Sequence, residues 1–433
     1  ENPMITSDQV VELSDLRPAL RTAGQSNNNH SWTWDNAVTS IHHDNGADVA
    51  IGPNGEVFVT GYFTSTVSFG TTTLSSSWPD AFLVKMQPDG TYDWAVKMGS
   101  HITGNHRFGY AVDVDASGNA YIVGYTVPNS GTSSQRAFIA KFDQNGTFLW
   151  ALQDNSTGYG GATPHSYAMG VAVDSSGAAF ITGHFESSVR FGTHQRNQTA
   201  SGTQDGFIFK INPDGTSAWV KKVQAMGSYR KCSFNAVEVD SQDYLILVGS
   251  KVNVYGTSCD FSDSSGTTSI TDESYIARLN GTTKQWDWVN GVGYDKVFDV
   301  AVGPTDEIAI VGGEPIFESL LHSNGSWAWQ HPQPGIGGVW GVAHAVDFDS
   351  EGNLFTTGHF SGTMYSGAPN QAITSAGGND IFVRKKASNG TLLHAESAGS
   401  AASDNSGFSN DVRWGGGIAV DANGAAYVTG AFS

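Results

Sequence analysis

The amino-acid sequence predicts an all-β fold assembled from seven repeated four-stranded units, and three observations lead to this prediction. The 433 residues include 53 Gly, 23 Phe, 14 Tyr and 12 Trp, a mixture typical of many short strands joined by tight turns. A strand that ends on glycine recurs seven times along the chain. The last unit is incomplete, and strands that would complete it occur at the other end of the sequence.

The recurring strand ends in Val-Gly or Thr-Gly, and its glycine is called the anchor glycine. Successive anchors are 46 to 72 residues apart. This spacing is too long for leucine-rich or helical repeats and suits one four-stranded blade with its loops. The anchor glycines are Gly61, Gly124, Gly183, Gly249, Gly312, Gly358 and Gly430.

Two hairpins in each unit supply the four strands. In residues 111–123, two alternating runs flank an Asp-x-x-Gly turn, and in residues 80–94 a second pair of runs flanks Gly90. Units of this kind predict a seven-bladed β-propeller with four-stranded antiparallel blades. A tryptophan follows the second turn, and we expect it to pack between adjacent blades. These tryptophans are Trp94, Trp150, Trp219, Trp288 and Trp329, with His394 in the equivalent place of the sixth unit.

The seventh unit stops at Ser433, after its first hairpin, whereas residues 15–40 form an unpaired second hairpin. Because a closed ring removes exposed strand edges, we expect the N- and C-terminal segments to share one blade. The predicted segments are a tail at 1–14, an outer hairpin at 15–40, six blades at 46–99, 109–153, 168–222, 234–290, 297–331 and 343–397, and an inner hairpin at 415–433.

These units resemble the SBBP repeat, a bacterial β-propeller repeat family. Its pattern is Ala-Val-Asp-x-x-Gly-Asn-x-Tyr-Val-Thr-Gly, then Asp-Ala-Phe-Val-x-Lys, a turn and Trp. The units around Gly61, Gly124, Gly183 and Gly358 match best, whereas the unit around Gly312 lacks a recognisable Asp-Ala-Phe strand. The resemblance implies a secreted or cell-surface propeller and no particular reaction.

The charge of the chain limits its partners. With 41 acidic and 22 basic residues the formal net charge is −19, which opposes binding to nucleic acid or an anionic membrane. No apolar run approaches the roughly 18 residues of a spanning helix, so membrane insertion is not expected. The polar start at Glu1 has no signal pattern and reads as a mature, secreted chain.

The sequence allows two covalent modifications, a disulfide and N-glycosylation, without deciding either. Cys232 and Cys259 lie in one unit and form either a local disulfide or two free buried thiols. Of seven Asn-x-Ser/Thr sites, Asn155 and Asn197 lie outside the predicted turns. They are candidate glycosylation sites if the source is eukaryotic.

Aligning the units on their anchor glycines predicts an acidic axis. Residues eleven and thirteen positions before the anchor project into the central channel. Carboxylates this close repel one another unless they are hydrated, protonated, paired or neutralised by a cation. One interpretation is a channel that holds Ca²⁺, and the other is a wet tunnel in which the acids cap backbone amides. These axial carboxylates are Asp48, Asp113, Glu238, Asp299 and Asp347.

Side chains suited to recognition gather at one end of the channel, where the loops enter each first strand. Aromatic faces beside short polar groups suit sugars, and loops on a rigid scaffold are common binding sites. The candidate ligand-binding residues are Tyr62, His106, Arg107, Tyr125, His165, His184, Trp340, His344, His359, Arg413 and Trp414.

The sequence contains no nucleophile elbow, phosphate-binding loop or zinc-binding pair, which favours a function without catalysis. The leading hypothesis is an extracellular binding or scaffolding propeller that engages glycans or proteins. A second is a structural subunit of an extracellular polymer, sheath or appendage, which requires self-assembly. A third is an enzyme acting on polysaccharides, with His, Tyr and Arg side chains as acid and base.

Overall fold

The computed structural model describes most of the chain, and nearly all of it is β-strand. It describes residues 44–128, 134–200, 202–226, 230–252, 258–293, 296–313, 316–332, 340–365, 372–399 and 416–432, together with the strands at 17–24 and 31–37. Within these ranges the helical structure is one 3₁₀ turn at Gly99–His101, and no helix has the length and hydrophobicity to cross a membrane.

The strands follow one another in antiparallel units of four, with short additional hairpins. The chain begins with β1 (Arg17–Gly24) and β2 (Ser31–Ala37). The first unit is β3 (Asn45–Ile51), β4 (Val57–Phe69), β5 (Thr72–Met86) and β6 (Tyr92–Lys97). The next is β7 (His106–Val114), β8 (Ala120–Val127), β9 (Arg136–Phe142) and β10 (Phe148–Gln153).

The middle of the chain forms a ten-stranded sheet. Its first run contains β11 (His165–Val173) and β12 (Ala179–Glu186), then β15 (Gln204–Ile211) and β16 (Ser217–Met226), with a separate hairpin of β13 (Ser188–Phe191) and β14 (His194–Asn197). Its second run contains β17 (Lys231–Val239), β18 (Tyr244–Val252), β21 (Ser274–Asn280) and β22 (Trp286–Val292), with an inserted hairpin of β19 (Ser258–Asp263) and β20 (Gly266–Ile270). One parallel bridge and the pairing of β16 with β19 join the two runs.

Two further units complete the order. One is β23 (Val297–Val302), β24 (Ile308–Gly312), β25 (Phe317–Leu321) and β26 (Trp327–Pro332). The other is β27 (Trp340–Phe348), β28 (Leu354–Ser361), β31 (Asp380–Lys386) and β32 (Leu392–Ala398), beside a hairpin of β29 (Thr363–Tyr365) and β30 (Ala372–Thr374). The unit around Gly312 therefore has a third strand although its sequence departs from the repeat.

Strands from both ends of the chain share one sheet. β33 (Ile418–Val420) and β34 (Ala426–Phe432) combine with β1 and β2 in the order β2-β1-β34-β33. Arg17 pairs with Phe432 and Ala23 with Ala426 in an antiparallel ladder. The termini thus supply the outer and inner hairpins of a four-stranded unit.

The apolar core lies between neighbouring sheets. Phe58 of the β3–β6 unit packs in one cluster with Phe138 of the β7–β10 unit, and the same arrangement joins the later neighbours. Tyr427 of the terminal sheet packs in a cluster with Val59. The last sheet therefore contacts the first, and the chain forms an all-β propeller of four-stranded antiparallel blades.

A β-bulge in the first strand of six units explains their anchor glycines. In β7 the register slips between Gly109 and Ala111, and equivalent slips occur in the first strands from β3 to β27. The bulge brings the carbonyl oxygen of Phe108 to 1.8 Å from where a Cβ on Gly124 would lie. Any side chain would clash there, so this position accepts only glycine.

A buried ion cluster joins two neighbouring blades. Glu318 on β25 contacts Arg384 and Lys386 on β31, and the side chains of Glu318 and Arg384 are 0% and 1% exposed. Burial raises the pKa of Glu318, but the charges of Arg384 and Lys386 outweigh this and hold it at about 2. This carboxylate is therefore ionised throughout the physiological range.

Candidate functional site

The first strands of the blades surround a central channel, and the structure places all five predicted axial carboxylates on it. The cavity has a volume of about 300 Å³. Apolar side chains such as Val112 and Val346 also line it. The β-bulges lie immediately before these residues and set which side chains face the axis.

The axial aspartates bind backbone amides of the next blade in two tiers. The N–H of Val112 donates to Oδ2 of Asp48 (3.0 Å), and the N–H of Val346 donates to Oδ2 of Asp299 (3.1 Å). These two acids lie thirteen residues before their anchors. They link β3 to β7 and β23 to β27.

The second tier lies eleven residues before the anchor. Asp113 accepts from the N–H of Val114 and of Val173, both at 2.7 Å. Asp347 accepts from the N–H groups of Phe348 and Val420, also at 2.7 Å. Each of these carboxylates thus bridges its own strand and the first strand of the next blade.

The same carboxylates have raised pKa values. Burial raises the pKa of Asp113 to about 6 although two amides oppose it. Burial, together with the charge of Asp299, raises the pKa of Asp347 to about 7. Burial and the four aspartates raise the pKa of Glu238 well above its usual value. Protonation of carboxylates with such raised pKa values weakens the repulsion between them.

These contacts match the amide-capping interpretation of the acidic axis. Among the described residues, no group of three or more His, Cys, Asp or Glu side chains has a metal-binding arrangement. The Ca²⁺ interpretation stays a prediction, and the hydrogen bonds assign the aspartates a role in joining blades.

Aromatic side chains form a continuous line at the end of the channel where the first strands begin. Ring centroids are 5.0 Å apart for Tyr62 and Phe108, 4.9 Å for Phe108 and Tyr125, and 5.0 Å for Tyr125 and Tyr167. Tyr110 lies against Tyr125, and His184 lies 4.9 Å from Tyr167. This set is named the aromatic arc, and its members are Tyr62, Phe108, Tyr110, Tyr125, Tyr167 and His184.

The arc spans three blades and combines buried and accessible rings. Tyr110 and His184 are buried, whereas Tyr62, Tyr125 and Tyr167 are partly exposed. Burial, with a smaller effect from Lys231, lowers the pKa of His184 to about 3. His184 is therefore neutral, and the arc presents uncharged rings.

A histidine pair occupies the equivalent level in one later blade, beside a phenylalanine of the blade before it. Nε2 of His344 and Nδ1 of His359 are 2.8 Å apart, and the ring of Phe298 lies 5.7 Å from that of His344. Burial lowers the pKa of His359 to about 4. The structure thus brings two predicted residues together here, away from the tyrosines.

The other candidates have separate surroundings. His106 lies against Trp78, whose side chain is 52% exposed, and Arg107 lies 3.6 Å from Asp80. Nδ1 of His165 contacts Oε1 of Gln135. The side chain of Trp340, and Arg413 and Trp414, lie outside the described residues.

Sequence reasoning missed three aromatic residues of this end: Phe108, Tyr110 and Trp78. Phe108 lies sixteen residues before its anchor glycine, at the position that Tyr167 occupies in the next unit. Tyr110 occupies the bulge position that holds His344 in a later unit. Comparing the residues at these two positions in every repeat unit would have found both Phe108 and Tyr110.

Cys232 and Cys259 form a disulfide in the structure, with a Cα–Cα distance of 6.0 Å. The bond links the first strand of one blade, β17, to β19, which pairs with β16 of the preceding run. Asn155 is exposed and Asn197 is half-buried. Glycosylation of either residue stays a prediction.

The tryptophans lie between adjacent blades, as predicted. Four of them also donate their indole N–H to a turn carbonyl of the next blade, at 2.8 to 3.1 Å. Trp219 packs at its interface without this bond within the described structure. The donor and acceptor pairs are Trp94 to Gln144, Trp150 to Pro213, Trp288 to Ser323 and Trp329 to Ser388.

Comparison with known proteins gives no family and only distant structural likenesses. No protein-family model and no curated protein matches the sequence. The fold is similar to BamB from Moraxella catarrhalis, with 13% identity, a TM-score of 0.41, and coverage of 92% of this chain and 88% of that chain. It is also similar to a streptogramin B lyase structure (10% identity, TM-score 0.47, coverage 96% and 98%) and to the RRP9 WD40 repeats (9%, 0.49, 91% and 96%). The fold assignment rests on the sheets described above, and the resemblance to the SBBP repeat stays a prediction.

Proposed function

We propose that this protein is a non-enzymatic binding propeller whose aromatic arc stacks on a carbohydrate at one end of the channel. The observation that carries the proposal is the unbroken line from Tyr62 through Phe108 and Tyr125 to Tyr167, with about 5 Å between ring centroids. Amphipathic rings held on rigid strands lose little conformational entropy when they bind a sugar. The partly exposed Tyr62, Tyr125 and Tyr167 would supply rings for stacking and phenol hydroxyls for hydrogen bonds.

The electrostatic surroundings support a neutral ligand. Burial and the nearby Asp44 raise the pKa of Tyr62, and burial raises the pKa of Tyr167 to about 12. These phenols are uncharged at neutral pH. The axial aspartates are bound to backbone amides, which favours binding over acid-base chemistry at the channel.

The ring itself is proposed to contain seven blades and to act outside the cell. Five four-stranded sheets and the two four-stranded runs of the ten-stranded sheet support the count. A disulfide between Cys232 and Cys259 is the kind of cross-link that persists in oxidising compartments, which supports secretion.

A binding experiment with matched tyrosine variants tests the ligand. Neutral oligosaccharides that bind the protein on a glycan array are titrated by calorimetry against the wild type, Tyr125→Ala and Tyr159→Ala. Tyr159 is the control because it is 52% exposed and lies outside the arc. We expect Tyr125→Ala to weaken binding at least about tenfold, or roughly 1.4 kcal/mol, and Tyr159→Ala to have no effect. An empty array, or equal affinities for the two variants, would contradict the proposal.

A further inference from the structure

A second cavity lies at the outer edge of the propeller, beside β16, the strand of its blade that is farthest from the axis. It has a volume of about 450 Å³, within the range of small-ligand sites. It opens where β19 separates from β16, beside β14 and the turn before β22. We name it the basic groove, and the residues that define it are His194, Arg196, Trp219, Lys221, Ser262 and Lys284.

The groove concentrates positive charge in an acidic protein. The chain has a net charge of −19, yet within its described part no carboxylate lies within 4.0 Å of a charged nitrogen of Arg196, Lys221 or Lys284. By contrast, Lys210 of the same blade contacts Asp174 (2.9 Å), and Lys222, which also lines the groove, contacts Asp205 (3.2 Å).

The cations are fixed by bonds to the backbone. Nζ of Lys221 donates to the carbonyl oxygens of Ser262 (2.9 Å) and Lys284 (3.0 Å), which leaves one of its three N–H groups. Arg196 donates to the carbonyl of Val220 (2.8 Å) and retains further N–H groups. Burial lowers the pKa of Lys221, and the charges of Lys284 and Arg196 add to this despite the nearby Asp263. Lys221 and Arg196 are thus held in place although they repel each other and Lys284.

The local backbone departs from the repeat in a way that opens the groove. Where most units have a turn glycine, such as Gly215 at φ +85°, this turn holds Lys284 in the left-handed region at φ +64°. This wider turn is closed by a hydrogen bond from the Asn280 N–H to the Gln285 carbonyl oxygen. The Trp219 indole lies at the groove and, within the described residues, does not donate to a turn carbonyl as the other tryptophans do.

From this geometry we infer that the basic groove binds a small ligand that carries an oxyanion: a sulfate, phosphate or carboxylate group. Arg196, Lys221 and Lys284 all line one cavity, with Trp219 beside them, and cationic N–H donors of this kind form strong hydrogen bonds to oxyanions. A long polyanion would meet the field of the −19 net charge, so the groove suits a single anionic group, free or on a sugar. This site is independent of the aromatic arc.

A double variant tests the groove while it keeps the internal bonds of Lys221. Arg196→Gln with Lys284→Gln removes two exposed cations, and Arg190→Gln with Lys97→Gln is the control. Both control side chains donate to backbone carbonyls outside the groove. Inorganic sulfate, inorganic phosphate and glucuronate are each titrated by calorimetry at constant ionic strength, which separates the anionic groups.

We expect saturable binding of at least one anion to the wild type and the control, and at least a tenfold loss in the groove variant. Because like charges are removed, the groove variant without ligand should unfold at the same temperature as the wild type or higher. Tyr125→Ala should bind the anion normally, which separates this result from the glycan experiment. Absence of saturable anion binding to the wild type, or equal affinity in the groove variant, would overturn the inference.

Discussion

Two sets of buried carboxylates have pKa values that are shifted in opposite directions, although burial raises the pKa in both. Glu318, between β25 and β31, meets two cationic side chains and its pKa is lowered to about 2. Asp113 and Asp347, on the axis, meet backbone amides and other acids, and their pKa values are raised to about 6 and 7. Both sets join neighbouring blades. The charge of the partner thus decides the protonation state of a buried carboxylate, whereas either kind of contact can hold two blades together.

The largest expected effect comes from removing the charge of Glu318. Glu318→Gln leaves Arg384 and Lys386 buried without a counter-ion, so the free energy of unfolding at pH 7 should fall by about 3–5 kcal/mol. Urea denaturation measures it. The matched control is Glu273→Gln, an exposed position, which should change stability by less than about 0.5 kcal/mol. Equal effects of the two variants would show that the ion cluster does not stabilise the interface.

The axial acids should give a smaller effect with the opposite dependence on pH. Because their pKa is raised in the folded state, the folded protein binds more protons than the unfolded one between about pH 4 and 7. These groups therefore stabilise the fold at pH 5, and that contribution is lost as the pH rises through 6 and 7. Asp113→Asn with Asp347→Asn should therefore gain stability relative to the wild type, by about 1–3 kcal/mol, between pH 5 and pH 8.

The measurement is the difference between the two proteins in urea at pH 5, 6.5 and 8, because buried His184 and His359 act in the opposite sense below pH 6.5 in both. A difference that is constant with pH would contradict the axial assignment. A chelator that destabilises only the wild type at pH 8 would favour the Ca²⁺ interpretation.

The smallest effect concerns an uncharged contact between blades. Trp150→Phe removes the N–H that binds the Pro213 carbonyl at 3.0 Å, whereas Trp219→Phe removes no such bond. Thermal unfolding should show that Trp150→Phe costs about 1 kcal/mol more than Trp219→Phe. Equal losses would mean that packing alone accounts for the tryptophans.

Much of the fold follows from local sequence patterns. The anchor glycines, the paired hairpins and the incomplete last unit predicted four-stranded blades and the pairing of β1 with β34. Local turn chemistry and period-two alternation determine these features, and both are readable in one sequence. The positions of the five axial carboxylates followed from the same alignment.

Other features depend on segments that meet only in the folded chain. The amides that bind Asp113 and Asp347 belong partly to other blades, so the sequence left two interpretations of the axis. The inserted hairpins were missed, although Phe69-Gly70 and Phe191-Gly192 mark two of them. The basic groove was missed because residues of four separate segments form it.

The shared terminal sheet has a consequence for how the molecule is made. Among the described strands β1 is synthesised before all the others, and its partner β34 is synthesised after all the others. Until then β1 exposes an unpaired edge, and contacts of such high sequence separation form slowly. A second copy whose β34 is already synthesised offers an identical strand, so nascent chains at high local concentration can pair β1 of one copy with β34 of another.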